Sequence, residues 1–197
     1  LSSSSHDHEG TVASLPRQAD DVFGLVFVST GGIDLIHPYG HGTPREGAMY
    51  GATLAQARPW IAAFEARLER MLVALERRFP GGIEIFVATI YDPTDGVGDL
   101  EHAGVAFWLP RWPDALAIHA AFNGAIRDAC ARHPFAHVVD VHRVLLGHGI
   151  HCRDASNPHH DPSDATYWYY WNLEDPNERG YDAIRRTFLG ALGEVLP

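Results

Sequence analysis

Histidine is concentrated in one part of this sequence. Seven of the thirteen histidines lie between His133 and His160. Imidazole is the usual general base near neutral pH, and His148, His151 and His159 share one polar segment, which favours acid–base chemistry there. Histidines in such segments also occur as exposed residues or packed against aromatic side chains. Both interpretations stay open for each of the three.

Polar residues follow each of three apolar runs. If these runs are parallel strands, their carboxyl ends meet at one edge of a sheet, which is where such sheets bind ligands. The sequence therefore predicts a site at this rim. For Asp92 and Asp95 a role in a turn is favoured, since aspartate after a strand usually serves the turn itself. The predicted rim residues are Asp34, His37, His41, Asp92, Asp95, His142, His148 and His151.

Metal binding is a weaker hypothesis for the same residues. Three close histidine pairs occur, but none has a second pair at the spacing of a known zinc motif. A metal-dependent hydrolase built from the histidines and Asp34 therefore ranks third among the possible functions. We predict no metal and no cofactor. The pairs are His6/His8, His148/His151 and His159/His160.

Three short apolar runs predict the strands that position this rim. They are rich in β-branched and aromatic residues, as expected of strands buried on both faces. The predicted strands span 22–30, 83–90 and 135–141. Amphipathic patterns predict helices over 53–79 and 113–133 and after Asp175. This alternation predicts an α/β fold in three layers, with a parallel sheet between helices.

The last helix has a recognisable start signal. Asp175 is predicted as its N-cap and Pro176 as its first helical residue, and Glu178 completes a capping box. The segment before it, "YWYYW" at 167–171, is interpreted as an aromatic packing cluster. One wall of a substrate pocket is the alternative for that cluster.

Length and charge limit the possible functions. A chain of 197 residues with 46% hydrophobic content is expected to form one domain, 1–197. With 15 basic against 25 acidic residues it offers nothing to hold a phosphate backbone, so we predict no nucleic-acid partner. No membrane span and no signal peptide are read in the chain as given, which is expected to be soluble; its compartment is unknown. Cys130 and Cys152 are predicted as buried free thiols, with one disulfide as the alternative.

Four blocks of the sequence together resemble a known family. They are "VFVSTGGIDL", "FVATIYDPTDG", "FNGAIRDACARHPFAHVVDVHRVLLGHG" and "EDPNERGYDAIRRTFL". In order and setting they are similar to the SGNH/GDSL hydrolases, which are serine esterases and lipases on a flavodoxin-like sheet. The resemblance covers residues 10–192. It implies a three-layer α/β/α fold and hydrolysis of carboxylic esters.

The family's catalytic blocks are altered in this chain. Gly10 resembles the glycine block, and the resemblance implies Gly10 and Gly32 as oxyanion donors. "GGID" has Ile33 where the family has asparagine. "NLED" places Asn172 and Asp175 where the family has the aspartate and histidine of Asp-x-x-His. The base is then sought in the preceding loop, at His151, His159 or His148, and Asp34, His142 and Asp175 are assigned to the site rim.

The family's nucleophile and first strands have no counterpart here. No Gly-Asp-Ser occurs, and 22–30 corresponds to the third of five family strands in the order 2-1-3-4-5. That strand would form a bare apolar edge, which natural sheets avoid. We therefore expect an N-terminal fragment or a second chain to complete the sheet, or the resemblance misplaces the strands.

Two functions follow from these blocks. The first is an SGNH-like hydrolase of acyl or acetyl esters, with a small-molecule ester or an acylated glycan as substrate and a serine nucleophile. The alternative is a catalytically inactive SGNH-like module that binds a glycan or a peptide. Ile33, Asp175 and the missing nucleophile favour the alternative.

Overall fold

The structure, a computed structural model, describes residues 5–103 and 108–196, with side chains from residue 10 onward. The described helices are α1 (Ser5–Ser14), α2 (Gly32–Ile36), α3 (Leu54–Arg78), α4 (Ala115–Ala131), α5 (Val141–Leu145) and α6 (Glu178–Val195), with a 3₁₀ turn at Leu100–His102. The described strands are β1 (Gly24–Val28), β2 (Ile83–Ala88) and β3 (Ala136–Val139).

The three strands form one parallel sheet in the order β1-β2-β3. Ile85 and Val87 belong to the core that includes residues of α3 and α4, whereas Phe86 and Ala88 belong to a second core beside α5 and α6. Helices therefore cover both faces, and the predicted three-layer α/β fold is confirmed. Burial on both faces explains the largely apolar sequence of β2, whereas β1 is exposed on its α6 side and the prediction of burial on both faces is wrong for it.

Helix α3 forms where the apolar periodicity predicted a helix. The Thr53 side chain accepts a hydrogen bond from the Gln56 backbone N–H, and Gln56 Oε1 accepts one from the Thr53 N–H at 2.8 Å, so a capping box begins the helix. Phe64, Leu68 and Leu72 recur on one face and are buried against the sheet and α4. The helix spans the sheet and returns the chain to the start of β2.

The start of α6 differs from the sequence prediction. The N-cap is Asn177, whose side-chain oxygen accepts hydrogen bonds from the backbone N–H groups of Arg179 and Gly180. Asp175 is not the cap, because its carbonyl accepts from the Tyr170 N–H at 2.8 Å and Pro176 forms a bridge with Tyr169. The predicted capping box at Asp175 is therefore wrong. The chain stays extended for two more residues before it turns into the helix.

Strand β1 lies at one edge of the described sheet. Leu25 and Phe27 point to the α6 side and are 43% and 51% exposed, since α6 lies over β2 and β3 instead. Phe27 packs against Phe86 and Phe188, with ring centroids 5.5 Å apart in both pairs. The edge carries no charge, proline or bulge that would block pairing with another strand.

Two further findings concern composition. Cys130 and Cys152 are free and buried, which confirms the prediction of two unpaired thiols. Among the described helices, none combines the length and apolar content needed to cross a membrane.

An uncovered apolar edge strand promotes self-association, so a charge placed on it should reduce association. We expect Leu25→Lys to lower the concentration-dependent light scattering of the purified protein, because the new ammonium lies beside Glu84 in the register and opposes edge pairing. Val97→Lys is the control, since Val97 is 48% exposed in a loop. Equal scattering by the two variants would contradict an edge-driven association.

Candidate functional site

A pocket of about 520 Å³ opens at the carboxyl edge of the sheet. The segments after β1 and β2 line it, together with the first turns of α4 and the stretch before α6. Helix α4 contributes because a helix that follows a parallel strand begins at the carboxyl edge. The lining segments are 29–33, 88–94 and 171–175, and the helix contributes Ala115, Leu116 and His119.

The turn after β1 places Gly32 and Ile33 in the pocket wall. Gly31 is the N-cap of α2 with φ 95°, a left-handed conformation that favours glycine, and a Cβ there would lie 2.9 Å from Ile90 Cδ1. The chain therefore turns sharply and presents the α2 N-terminus to the pocket. Ile33 has no side-chain amide, so an oxyanion at this wall would have as donors the backbone N–H groups and the two side-chain hydroxyls just before Gly31.

Asp92 lines the pocket but its carboxylate is occupied. Oδ1 accepts hydrogen bonds from the backbone and hydroxyl of Thr94 at 2.8 and 2.6 Å, and Oδ2 accepts one from the Gly96 N–H at 2.9 Å. These bonds form a tight turn after β2. The arrangement is that of the turn residue favoured from the sequence.

Asp95 joins two loops that are distant in the sequence. Its Oδ1 accepts the N–H groups of Gly147 at 2.9 Å and Gly149 at 2.8 Å, and its Oδ2 accepts that of His151 at 3.0 Å. Burial raises the pKa of Asp95, against the lowering effect of these three hydrogen bonds. The side chain thus does more than form its own turn, because it fixes the loop that follows α5.

Removing one acceptor of Asp95 should loosen that loop. We expect Asp95→Asn to lower the free energy of unfolding by about 2 kcal/mol, since the new amide group can no longer accept all three backbone N–H groups. Chemical denaturation measures the change. Asp161→Asn is the control, because the Asp161 carboxylate accepts from the N–H and hydroxyl of Ser163 in an exposed turn where asparagine serves equally well. Equal stability of wild type and Asp95→Asn would contradict the assignment.

The three histidines predicted as bases lie outside the pocket lining. His148 is buried and stacks on Trp168, with ring centroids 3.3 Å apart, and its Nδ1 lies 3.1 Å from the Thr166 carbonyl. His159 is exposed beside Gly96. These two occupy packing and surface positions. The structure does not bring them to the residues that line the pocket.

In the loop after α5, His151 is the histidine whose side chain lies within hydrogen-bond distance of a carboxylate. Its Nε2 lies 2.8 Å from Asp99 Oδ1, and Asp99 also contacts His102 at 2.9 Å. Burial raises the pKa of Asp99, but the hydrogen bonds from the two imidazoles hold it below its ordinary value. No serine or threonine hydroxyl is recorded on His151 within the described residues. The pair therefore resembles a structural ion pair more than half of a triad.

The imidazole that does line the pocket is that of His119. Its Nε2 lies 2.8 Å from the Ile90 carbonyl, which can only accept, so this nitrogen carries the proton and Nδ1 is the basic nitrogen. Asn123 holds the same backbone from both sides, accepting from the Ile90 N–H at 2.7 Å and donating to its carbonyl at 2.9 Å. Sequence analysis missed His119, although its place in the first turns of a predicted helix is the signal for a position at this edge.

His142, assigned to the rim, lies directly behind His119. The ring centroids are 4.7 Å apart, and the backbone N–H of His142 donates to Thr89 Oγ1 at 2.9 Å. Burial lowers the pKa of His142 to about 4, and the neighbouring His119 also lowers it, whereas Asp92 and Asp140 act in the opposite direction. His142 therefore stays neutral at physiological pH.

This depressed pKa makes stability depend on pH. In the unfolded chain the imidazole gains a proton near pH 6.5, whereas in the folded chain it resists until about pH 4, so stability falls as pH decreases between these values. We expect His142→Gln to lose less thermal stability than wild type between pH 7 and pH 5, measured as Tm. His159→Gln, which removes an exposed imidazole, is the control. Parallel losses in wild type and His142→Gln would contradict the assignment.

Asn172 and Asp175, which the sequence resemblance aligns with Asp-x-x-His, contact each other. Asn172 Nδ2 donates to Asp175 Oδ2 at 2.8 Å, and the Asp175 N–H donates to Asn172 Oδ1 at 3.3 Å. Both line the pocket, and neither is an imidazole. Asp175 is thus a rim residue held by a neighbouring amide.

Two other predicted residues lie elsewhere. Gly10 is an exposed residue of α1, a helix that packs on α3 and whose Ala13 carbonyl accepts from Arg78, and Gly10 does not line the pocket. Asp34 is buried in the first turn of α2, between the lining residues Ile33 and Leu35. Of the rim and oxyanion residues predicted from the sequence, Gly32, Asp92 and Asp175 line the pocket.

The aromatic segment before α6 divides between packing and the pocket. Trp168 stacks on His148 and Tyr169 is buried, as expected of a packing cluster. Trp171 is 75% exposed and lines the pocket. Both interpretations of "YWYYW" therefore apply, each to a different residue.

No group of three or more His, Cys, Asp or Glu side chains is placed to hold a metal ion in residues 10–103 and 108–196. The side chains of the pair His6/His8 lie outside the described ones. Comparisons with protein-family models and with curated proteins return no match for this chain. The likeness to SGNH hydrolases therefore stands as a resemblance of sequence blocks. Function has to be inferred from the pocket itself.

Proposed function

We propose that this chain is a binding module, in which the pocket at the carboxyl edge of the sheet takes a small ligand with a sizeable apolar part. The observation that carries the proposal is the state of Asn172 and Asp175. The sequence resemblance aligns them with the family's aspartate and histidine, they hydrogen-bond to each other, and the histidines predicted as substitutes for the base lie outside the lining. The chain keeps a pocket without the acid–base pair.

The lining supports a ligand with apolar groups. Side chains from four segments present aromatic rings and aliphatic groups to the cavity, and few polar atoms remain available there. Pockets of this volume and character typically enclose most of a small organic molecule. The principal apolar and aromatic lining residues are Ile33, Tyr39, Tyr50, Leu100, Trp108, Leu109, Trp112, Leu116 and Trp171.

A larger side chain in the pocket should weaken ligand binding without harming the fold. We expect Ala115→Phe to weaken binding of the neutral ester 3,3-dimethylbutyl butyrate at least about tenfold in isothermal titration calorimetry, because Ala115 lines the pocket at the start of α4. Ala117→Phe is the matched control, since Ala117 is exposed on the same helix turn. Failure of the wild-type protein to bind both this ester and butyrylcholine, its charged isostere, would overturn the proposal.

An ester hydrolase is the second candidate. One observation favours it, because Ser29 is exposed and lines the same pocket as His119, whose Nδ1 is the basic nitrogen. In that case the Ser29 hydroxyl would attack the ester carbonyl while an imidazole accepts its proton. The calorimetry sample distinguishes the two candidates. Release of 3,3-dimethylbutanol at a rate above that of buffer would favour the hydrolase, and an intact ester favours the binding module.

A further inference from the structure

The pocket combines exposed aromatic rings with carboxylates at its rim. From this combination we infer that its ligand is an organic cation, a molecule whose apolar part carries an alkylated ammonium group. The inference rests on the proposed binding function and names the chemical class of the ligand.

Two indole rings stand at the pocket with unusually large exposure. Trp171 is 75% exposed, whereas Trp108 is 50% exposed and stacks on the His41 imidazole with ring centroids 5.1 Å apart, which leaves its other face for a ligand. The two indoles come from segments more than sixty residues apart in the chain. Tryptophan is normally highly buried, so two exposed indoles on one pocket call for a reason. The face of an indole attracts cations more strongly than any other side-chain ring, which gives an alkylammonium group a favourable place.

Glu174 supplies the opposite charge. It lines the pocket and is half-buried, and its carboxylate makes no recorded hydrogen bond or ion pair within the described residues; only its backbone carbonyl is used, by the Tyr91 hydroxyl. Burial and the neighbouring Asp175 raise its pKa, while His37 opposes them. A half-buried carboxylate without a hydrogen-bond partner has lost part of its hydration, and a bound cation stabilises it by replacing that water.

The other carboxylates differ from Glu174 in having partners. Asp92 accepts three hydrogen bonds within its turn, and Asp175 accepts from Asn172. They add negative potential without needing a ligand. Glu174 is therefore the group whose electrostatic state a bound cation changes most.

Positive groups are missing from the same wall. No arginine or lysine occurs among the described residues that line the pocket, although the chain contains 15 basic residues. His119 uses its N–H on the Ile90 carbonyl, so it does not offer that proton to a ligand. An anionic ligand would meet three carboxylates and no counter-charge, and a neutral ligand would leave Glu174 desolvated and unpaired.

A pair of isosteric ligands tests the inference. Butyrylcholine and 3,3-dimethylbutyl butyrate have the same shape, but only the first carries a quaternary ammonium group. We expect wild type to bind butyrylcholine about tenfold more tightly than the neutral ester in isothermal titration calorimetry at physiological ionic strength. Hexanoate, an anion, should give no measurable heat. This preference is the quantity to be followed in the variants.

Three variants assign the preference to its sources. Glu174→Gln should reduce the cation-to-neutral ratio to about threefold or less while the neutral ester binds as before. Trp171→Leu should weaken butyrylcholine about threefold through the lost ring face, and this exposed position tolerates the change. Glu76→Gln, an exposed carboxylate at the end of α3, removes the same charge from the surface and should leave the ratio unchanged.

The outcomes separate this inference from the function on which it rests. Equal affinity of wild type for the two isosteres, or an unchanged ratio in Glu174→Gln with its fold intact by circular dichroism, would overturn the cation assignment and leave the binding module standing. If wild type bound neither isostere, both the cation assignment and the proposed binding function would be overturned. Loss of the preference in Glu76→Gln would trace it to overall charge and also overturn the assignment.

Discussion

The hydrogen bonds that the Asp95 carboxylate accepts are the interaction on which the position of the segment between α5 and α6 depends. By accepting three backbone N–H groups from residues 147–151 it attaches the long irregular segment after α5 to the loop after β2. The His148 carbonyl then accepts from the Trp168 N–H at 2.9 Å, and the chain continues through Trp171 to Asp175 along the pocket. One buried acidic side chain therefore determines where a pocket wall lies.

The sheet and its helices could be predicted because their sequence signals are local. A continuous apolar run between glycines or prolines specifies a strand, and a periodic apolar stripe specifies α3. The apolar run does not distinguish the doubly buried β2 from the edge strand β1. The path of the loop could not be predicted, because it depends on contacts such as that of Asp95 with Gly149, 54 residues apart. The prediction of where α6 starts was wrong for a related reason. "EDPNERG" contains two good capping residues, and the bridge from Tyr169 to Pro176 decides in favour of Asn177.

The candidate site shows the same division. Sequence reasoning placed Gly32, Asp92 and Asp175 at the edge of the sheet where the pocket opens. It favoured histidines by their number, whereas the structure uses His148 for stacking and His151 for an ion pair. The number of histidines in a segment does not indicate which carboxylate or aromatic ring each imidazole contacts. The residues that shape the pocket, such as Glu174, were hidden in segments with stronger patterns.

Strand β1 carries two chemically different sets of backbone amides. The Gly24 N–H donates to the Gly82 carbonyl at 2.9 Å, so the amides of Gly24, Val26 and Val28 face β2. Those of Leu25 and Phe27 point the other way, where no further strand is described. Deuterium from solvent should therefore enter every second amide of this strand while its neighbours remain protected, and the labelling pattern of five residues reports whether anything else pairs with the sheet.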